Sequence, residues 1–369
     1  MKVRSAAAEL LVVGMILAVA ASAVADPKVI DTIHVSRPGG VGVNPVTNRI
    51  YVTNYYLSTV SVIDGATNTV VATVPVGVSP WGIGVNPATN RIYVAKETRD
   101  SVSVVDGATN KRTTAIDVGS YPQGVGVNPA TNRIYVANNG SNTVSVINGA
   151  SSTVTATVGV GSGPAGVGVD PATNRIYVTN YISNTVSVID GATNTVAKTM
   201  GVGWGPTGVG VNPATNRIYV TNYYSNTVSV IDGATDKVTA TVDVDSGPQS
   251  VGVDPTTNRI YVANNGQSTV SVIADGSETD LSINAPSSVP AGSKATITGV
   301  LSSPDPACVG AQDVILHKGS ATVGPKLTDA TGAYSFNARI KKRTVVRVTY
   351  AGTASCSPSS SAKKPIRVT

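Results

Sequence analysis

Few residues in this chain have side chains suited to acid–base or metal chemistry. The 369-residue sequence contains two histidines, His34 and His317, and beyond residue 25 its glutamates are Glu97 and Glu278. Aspartate recurs directly before glycine at Asp64, Asp106, Asp190 and Asp232. This placement is typical of an Asx turn, in which the side chain accepts hydrogen bonds from the following backbone. No nucleophile motif, phosphate loop or metal-ligand cluster appears, so we expect neither catalysis nor a metal or cofactor.

The aspartates belong to a unit of 42 residues that occurs six times. An arginine after asparagine marks the unit at Arg49, Arg91, Arg133, Arg175, Arg217 and Arg259. A period of roughly 40–45 residues is typical of a four-stranded propeller blade. The first copy has four runs rich in Val, Ile, Thr and Tyr, at residues 40–43, 49–53, 59–63 and 69–76, and such runs favour strands. We therefore expect an all-β chain with a six-bladed β-propeller at residues 26–278.

The repeated arginine allows two interpretations. It could bridge neighbouring turns or blades, or six guanidinium groups could form a ring that binds an anion at one face. Residues that are the same in every blade serve mainly packing and turns, so we expect the bridging role.

Residues 28–35 are expected to close the propeller. The stretch 27–35 resembles the fourth run of a repeat, residues 69–76, whereas the sixth copy loses the pattern after residues 271–273. A strand at residues 28–35 would therefore complete the last blade and hide the edges of the sheets.

A family resemblance rests on the second strand of each unit. Tyr51-Val52-Thr53-Asn54 recurs at residues 177–180 and 219–222, with variants at residues 93–96, 135–138 and 261–264. This pattern resembles the signature of YVTN β-propeller repeat proteins, over about residues 28–277. Members of that family include microbial surface-layer and secreted or periplasmic proteins, often with seven blades, so the six copies here depart from that number.

Residues 1–25 are typical of a secretory signal peptide. Lys2 and Arg4 precede an apolar run at residues 10–21, and small residues at 23–25 form a cleavage site before Asp26. No later stretch could span a membrane as a helix. We expect a secreted or cell-envelope protein without a transmembrane segment.

Residues 279–369 form a second unit in which the 42-residue period stops. Short strand-like runs at residues 281–283, 295–301, 313–316, 333–339, 344–350 and 365–368 predict a small β-sandwich. Residues 328–336 resemble Ig-like domains appended to bacterial secreted proteins. Both cysteines, Cys308 and Cys356, lie here, and in an exported chain we expect a disulfide rather than two free thiols.

Charge is divided unevenly between the two units. Residues 279–369 hold 11 basic and 4 acidic residues, whereas residues 26–278 hold 14 basic and 16 acidic. Basic runs at residues 341–343 and 363–364 could contact an anionic cell-wall polymer or lipid head groups, or they could be solvated turn residues. We do not expect nucleic acid as a partner of an exported chain.

Two loops in each blade differ between copies: the loop after Tyr-Val-Thr-Asn and the loop before the inner strand. In a four-stranded meander both lie at the same end, which predicts one face rich in exposed aromatic and charged residues. Its candidate binding residues are Tyr55, Tyr56, Trp81, Lys96, Arg99, Tyr121, Tyr181, Trp204, Tyr223 and Tyr224. Exposed Tyr and Trp suit a protein or carbohydrate partner, although they could also merely cover loop backbone.

Three functions remain open at this point. The favoured one is an exported, non-enzymatic interaction protein, with the propeller as a rigid platform and the Ig-like unit as a spacer or attachment module. The second is a propeller enzyme of lyase or lactonase type, which would need acid–base or metal residues near the axis. The third is a structural envelope protein that associates with itself.

Overall fold

The structure, a computed structural model, describes residues 32–35, 37–275, 280–303, 308–352, 356 and 359–369. Its regular elements are β-strands, together with a short 3₁₀ helix at Glu97–Arg99. Helices with the length and apolar character needed to cross a membrane are absent from the residues described. The predicted signal peptide at residues 1–25 lies outside those residues.

Each of the first five repeats forms an antiparallel sheet of four strands in chain order. Sheet 1 consists of Pro38–Asn44 (β1), Arg49–Asn54 (β2), Thr59–Asp64 (β3) and Thr69–Pro75 (β4). Sheet 2 consists of Pro80–Asn86 (β5), Arg91–Lys96 (β6), Ser101–Asp106 (β7) and Lys111–Asp117 (β8). Sheet 3 consists of Pro122–Asn128 (β9), Arg133–Asn138 (β10), Thr143–Asn148 (β11) and Thr153–Gly159 (β12).

The remaining repeats follow the same plan, except that the last one is shorter. Sheet 4 consists of Pro164–Asp170 (β13), Arg175–Asn180 (β14), Thr185–Asp190 (β15) and Thr195–Gly201 (β16). Sheet 5 consists of Pro206–Asn212 (β17), Arg217–Asn222 (β18), Thr227–Asp232 (β19) and Lys237–Asp243 (β20). Sheet 6 has three strands among the described residues, Pro248–Asp254 (β21), Arg259–Asn264 (β22) and Thr269–Ala274 (β23). The prediction of six repeated sheets is confirmed, and the arrangement is propeller-like.

Neighbouring sheets pack face to face through two different apolar surfaces. In β2, Tyr51 faces the next sheet, and it forms one buried cluster with Ile92 and Val94 of sheet 2. Successive residues of a strand point to opposite faces, so each sheet presents a Tyr-containing face forward and an Ile/Val face backward. The same contact recurs between the later pairs of sheets. The core is therefore divided into layers between sheets and is filled mostly by β-branched side chains.

The turns after the third strands confirm the predicted Asx geometry. Asp64 Oδ1 accepts hydrogen bonds from the backbone N–H groups of Ala66, at 2.8 Å, and Thr67, at 3.2 Å. Asn148, which replaces aspartate in sheet 3, accepts the equivalent bonds at 2.8 and 3.3 Å. Hydrogen bonds from the backbone of the turn lower the pKa values of Asp106 and Asp190. These aspartates therefore have a structural role.

Low pH should lower the stability of the repeat region, because it protonates the aspartates of these turns. A carboxylate with a lowered folded-state pKa stabilises the fold above its unfolded pKa of about 3.9, and this contribution is lost as the pH falls through the folded-state value. The variant Asp106→Asn/Asp190→Asn keeps an acceptor at each turn, as Asn148 does, but does not titrate. We expect its melting temperature to fall less than that of the parent between pH 6 and pH 2. Equal losses in both proteins would contradict this.

The repeated arginines join neighbouring sheets in four cases, as predicted. Arg91 Nη1 donates to the Gly149 carbonyl at 2.7 Å, and Arg217 pairs with Asp275 at 2.7 Å. Arg133 and Arg175 likewise reach the following sheet. Arg49 differs, because it pairs with Asp64 of its own sheet. The bridging interpretation is thus confirmed for four of the six arginines.

The predicted closing strand is not found in the part of it that the structure describes. Residues 28–31 lie outside the described residues, and residues 32–35 have no strand assignment. The forward face of sheet 6, which no following repeat covers, has Tyr261 43%, Val270 60% and Val272 51% exposed, whereas their counterparts in sheet 1 are fully buried. On sheet 1, Val41 and Val43 of the backward face are 62% and 56% exposed. The row of sheets therefore has two uncovered apolar ends.

The C-terminal unit contains two further sheets. One consists of Asp280–Leu281 (β24), Lys294–Ser302 (β26) and Ala333–Arg339 (β29); the other consists of Ser288–Val289 (β25), Asp313–Lys318 (β27), Ala321–Leu327 (β28), Thr344–Tyr350 (β30), Ser359–Ser360 (β31) and Lys364–Val368 (β32). Its buried core includes Ile297, Phe336 and Val348. The predicted disulfide between Cys308 and Cys356 is confirmed. Strand β28 was not predicted, because Gly324 and Pro325 interrupt its apolar pattern.

Candidate binding surface on the variable loops

The two variable loops of a sheet meet at the same end, as predicted, and we call this end the loop surface. The backbone N–H of Tyr55, after β2, donates to the carbonyl of Arg37, before β1, at 3.2 Å. The same bond joins Tyr223 to Gly205 at 2.9 Å in sheet 5. Each loop pair is thus fixed by the backbone, and its side chains are free to vary.

The residue before the first proline of each sheet has a left-handed backbone. It is glycine in three repeats, with φ near +65° in Gly163, Gly205 and Gly247, but Arg37, Ser79 and Tyr121 adopt φ of +44°, +52° and +52°. Non-glycine residues pay a local conformational cost there of about 1 kcal/mol. The Tyr121 N–H donates to Asp100 Oδ1 at 3.0 Å, a bond that the glycines at this position make to asparagine side chains. Exposed side chains are therefore held at positions where the backbone alone would favour glycine.

One aromatic cluster, cluster 1, consists of Tyr55, Tyr56 and Trp81. The ring of Tyr55 lies edge-on to Tyr56 at 5.7 Å and to Trp81 at 5.8 Å between centroids. The guanidinium of Arg37 lies over both tyrosine rings, at 5.2 and 4.5 Å, and donates to the Tyr56 hydroxyl. Such contacts hold the rings in place. Cluster 1 is therefore a rigid aromatic patch that joins sheets 1 and 2.

A carboxylate lies directly beside cluster 1. Glu97 Oε2 accepts a hydrogen bond from the Tyr55 hydroxyl at 3.2 Å, and its Oε1 accepts one from Gln123 Nε2 at 3.2 Å. Glu97 thus connects three successive sheets. Sequence reasoning placed neither Arg37 nor Gln123 in the site. Alignment of the repeats could have found them, because both occupy positions that differ from copy to copy.

The second aromatic cluster, cluster 2, consists of Tyr181, Tyr223 and Tyr224. The rings of Tyr223 and Tyr224 lie edge-on at 5.2 Å, and those of Tyr181 and Tyr224 are tilted at 5.8 Å. The hydroxyls of Tyr181 and Tyr224 are 2.8 Å apart. This hydrogen bond, followed by burial, raises the pKa of Tyr181 to about 12, so its hydroxyl keeps its proton at a pH where a free tyrosine ionises. Beside cluster 2, Trp204 is 70% exposed and its backbone N–H donates to Ser225 Oγ at 2.7 Å.

One predicted residue does not belong to the exposed surface. Lys96 is only 8% exposed, because it ends β6 at the position that asparagine occupies in the other repeats and packs beneath the linker at Gly77. Burial, and after it the Arg112 guanidinium, lower the pKa of the Lys96 amine. Arg99, by contrast, is exposed on the 3₁₀ helix. The expectation that Lys96 contacts a partner from an exposed loop is therefore wrong.

The structure groups the predicted residues unevenly. Seven of them lie in or beside the two clusters, while Tyr121 is exposed between them in the order of the sheets. Across the described residues, no three His, Cys, Asp or Glu side chains converge as ligands for a metal ion. The arrangement offers aromatic faces, hydroxyl groups and the carboxylates of Glu97 and Asp100, which can form stacking contacts and hydrogen bonds with a ligand.

Comparison with known proteins found no match to the sequence, whereas the structure is similar to solved structures. No family model matches the sequence, and no curated protein matches it. A solved chain of Kuenenia stuttgartiensis hydrazine synthase is similar, with a TM-score of 0.49 and 19% sequence identity, and the match covers 67% of this chain and 99% of that chain. Similarity of this degree carries no information about the activity or ligand of this chain.

Proposed function

We propose that this chain is an exported, non-enzymatic interaction protein of the YVTN β-propeller repeat type. The repeat region is a rigid platform, the loop surface binds a protein or carbohydrate partner, and the Ig-like C-terminal unit is a spacer or attachment module. The observation that supports this most is that the aromatic clusters lie at the end where the repeats differ. At the opposite end, the Asx turns after the third strands are nearly the same in sheets 1–5.

A closed ring of six blades would make the platform rigid. Gly42, Gly84, Gly126, Gly168 and Gly210 each allow a valine of the next sheet to come within 2.5–2.8 Å of the site of an added Cβ. Gly252 keeps this glycine in sheet 6, although nothing lies within 4 Å of it. A glycine kept beside an uncovered apolar face supports a closing contact with sheet 1. The other sheets have glycine at the position of Ser250. The serine side chain therefore requires sheets 6 and 1 to lie further apart at that end of their proposed contact.

A designed disulfide tests this closure. In the internal contacts, the glycine equivalent to Gly252 faces the valine equivalent to Val41, as Gly168 faces Val209. The variant Gly252→Cys/Val41→Cys should therefore form a disulfide within one chain on mild oxidation, detectable by peptide mapping. The pair Gly252→Cys/Val71→Cys, with the second cysteine on the outer strand β4, is the control and should stay reduced. A cross-link between two chains would instead favour self-association, and no cross-link would contradict closure.

Binding through the loop surface should depend on its two tryptophans. Truncation of a tryptophan at a binding hot spot typically costs about 2 kcal/mol or more. We expect Trp81→Ala/Trp204→Ala to weaken capture of a partner by well over tenfold, with a nearly unchanged melting temperature. The measurement uses the full mature chain, immobilised and exposed to purified cell-wall polysaccharides and to secreted proteins, with identification by mass spectrometry.

The matched control changes the opposite end of the sheets. Thr89 and Thr131 are exposed in the turns that follow β5 and β9, so Thr89→Ala/Thr131→Ala should leave partner capture intact. Loss of capture in this control and not in the tryptophan variant would assign the binding function to the other end.

A further inference from the structure

The basic residues of the C-terminal unit are concentrated at one of its ends. Strand β29 ends at Arg339 and β30 begins at Thr344, so residues 341–343, Lys-Lys-Arg, occupy the turn between the two sheets. Arg339 is paired in register with Lys294, the first residue of β26. This brings two further cations to the same turn.

The second sheet of the C-terminal unit adds three more basic residues near this turn. Lys318, the last residue of β27, and Lys364, the first residue of β32, are both paired with Val346 of β30. Arg367 follows Ile366, which is paired with Thr344 at the start of β30. Eight of the 11 basic residues of the unit thus lie within a few residues of one turn. We call this set the basic end: Lys294, Lys318, Arg339, Lys341, Lys342, Arg343, Lys364 and Arg367.

The two aspartates of the unit whose side chains the structure describes, Asp313 and Asp329, lie away from the basic end. Asp313 begins β27, at the opposite end from Lys318, and Asp329 follows the far end of β28. In the part of the chain that the structure describes, no salt bridge involves a residue of the basic end. The positive charges are therefore uncompensated by neighbours, and their field extends into solvent.

We propose that the basic end binds a linear polymer with repeating phosphate groups, and so attaches the protein to an anionic surface polymer. Charge complementarity supports a polyanion. The aromatic residues Tyr334, Phe336 and Tyr350 are buried, so the unit has no exposed Tyr or Phe ring that could stack on nucleic-acid bases or insert into a bilayer. A polymer that presents charge alone fits this surface better than a nucleic acid or a lipid membrane. This rests on the attachment role proposed above, but not on the loop surface.

The test measures binding of the full mature chain to inorganic polyphosphate at several ionic strengths. The variant Lys341→Gln/Lys342→Gln/Arg343→Gln should bind about tenfold or more weakly at low ionic strength, and the dependence of log affinity on log salt should become shallower by about two. The matched control, Lys111→Gln/Arg112→Gln/Lys237→Gln, removes the same charge from exposed positions of the repeat region. It should bind polyphosphate like the parent.

Binding to two other anionic ligands distinguishes the proposal from its alternatives. Vesicles of phosphatidylglycerol and phosphatidylcholine test a lipid surface, and duplex DNA tests a nucleic acid. Tighter binding to polyphosphate than to either supports the proposal, whereas tighter binding to vesicles or DNA overturns it. Equal effects of the two triple variants would also overturn it, because they would show that net charge and not the basic end is responsible. Trp81→Ala/Trp204→Ala should leave polyphosphate binding unchanged, so failure at one surface is distinguishable from failure at the other.

Discussion

Replacement of Gly82 by alanine is expected to lower the unfolding free energy of the repeat region by about 3 kcal/mol. A Cβ at this position of β5 would overlap the carbonyl oxygen of Gln123 in β9. Both atoms belong to the backbone of packed strands, so relief requires the two sheets to move apart. Gly124 and Gly166 face the carbonyl oxygens of Ala165 and Thr207 in the same way, and the effect should recur there.

Urea unfolding followed by tryptophan emission measures this, because Trp81 and Trp204, the two tryptophans of the chain, both lie in the repeat region. Gly159→Ala and Gly201→Ala are the matched controls, since a Cβ at either position would meet nothing within 4 Å. We expect these two variants to unfold at nearly the same urea concentration as the parent. If Gly82→Ala behaved like them, the close packing of β5 on β9 would be wrong.

Removal of the disulfide should destabilise the C-terminal unit by about 4 kcal/mol. Cys308 and Cys356 are 48 residues apart, and closing a loop of that length removes about this much chain entropy from the unfolded state. A small domain has a total stability of only about 5–15 kcal/mol, so the loss would be a large fraction. Both cysteines are buried, and Cys308→Ala/Cys356→Ala therefore avoids burying a new polar group.

Hydrogen exchange read by mass spectrometry separates the two units in the intact protein. In the variant without cysteines, amides of β26 and β30 should exchange faster, while those of β6 and β10 keep their protection. Reduction of the parent protein should reproduce the pattern. Unchanged exchange in β26 and β30 would show that the disulfide does not contribute to the stability of this unit.

The six repeats made the strand positions of the repeat region predictable from the sequence. The packing of the first and last sheets was not predictable in the same way. Because the same strand pattern recurs in six copies, the ends of β2 and β3 and of their counterparts were predicted to within one residue. Closure depends on contacts between sheets that are far apart in sequence, and a local pattern at residues 28–35 carries no information about what it packs against. Strand β28 was missed for a related reason, because an edge strand tolerates Gly324 and Pro325 where a central strand would not.

The site was predictable as a region but not as a set of contacts. Differences between repeats identified the loop surface, and the aromatic residues there could be read directly from the sequence. The burial of Lys96 could not, because it depends on the linker of the preceding sheet at Gly77. The partners of Glu97 were equally hidden, since Tyr55 and Gln123 come from the sheets on either side.

The amide contacts between sheets have a consequence for how such a chain can vary. Asn44, Asn86 and Asn128 each donate to the asparagine 46 residues further on, at 2.8 Å, which lies in the following sheet. The donor and acceptor are the same at these three steps, so loss or duplication of sheet 2 or sheet 3 would recreate the contact at the new junction. Sheet 4 has Asp170 in place of the donor asparagine, and the contact is not formed to Asn216. Among the first sheets, the number of repeats can therefore change without new side chains at the junction, and only the angle between neighbouring sheets would differ.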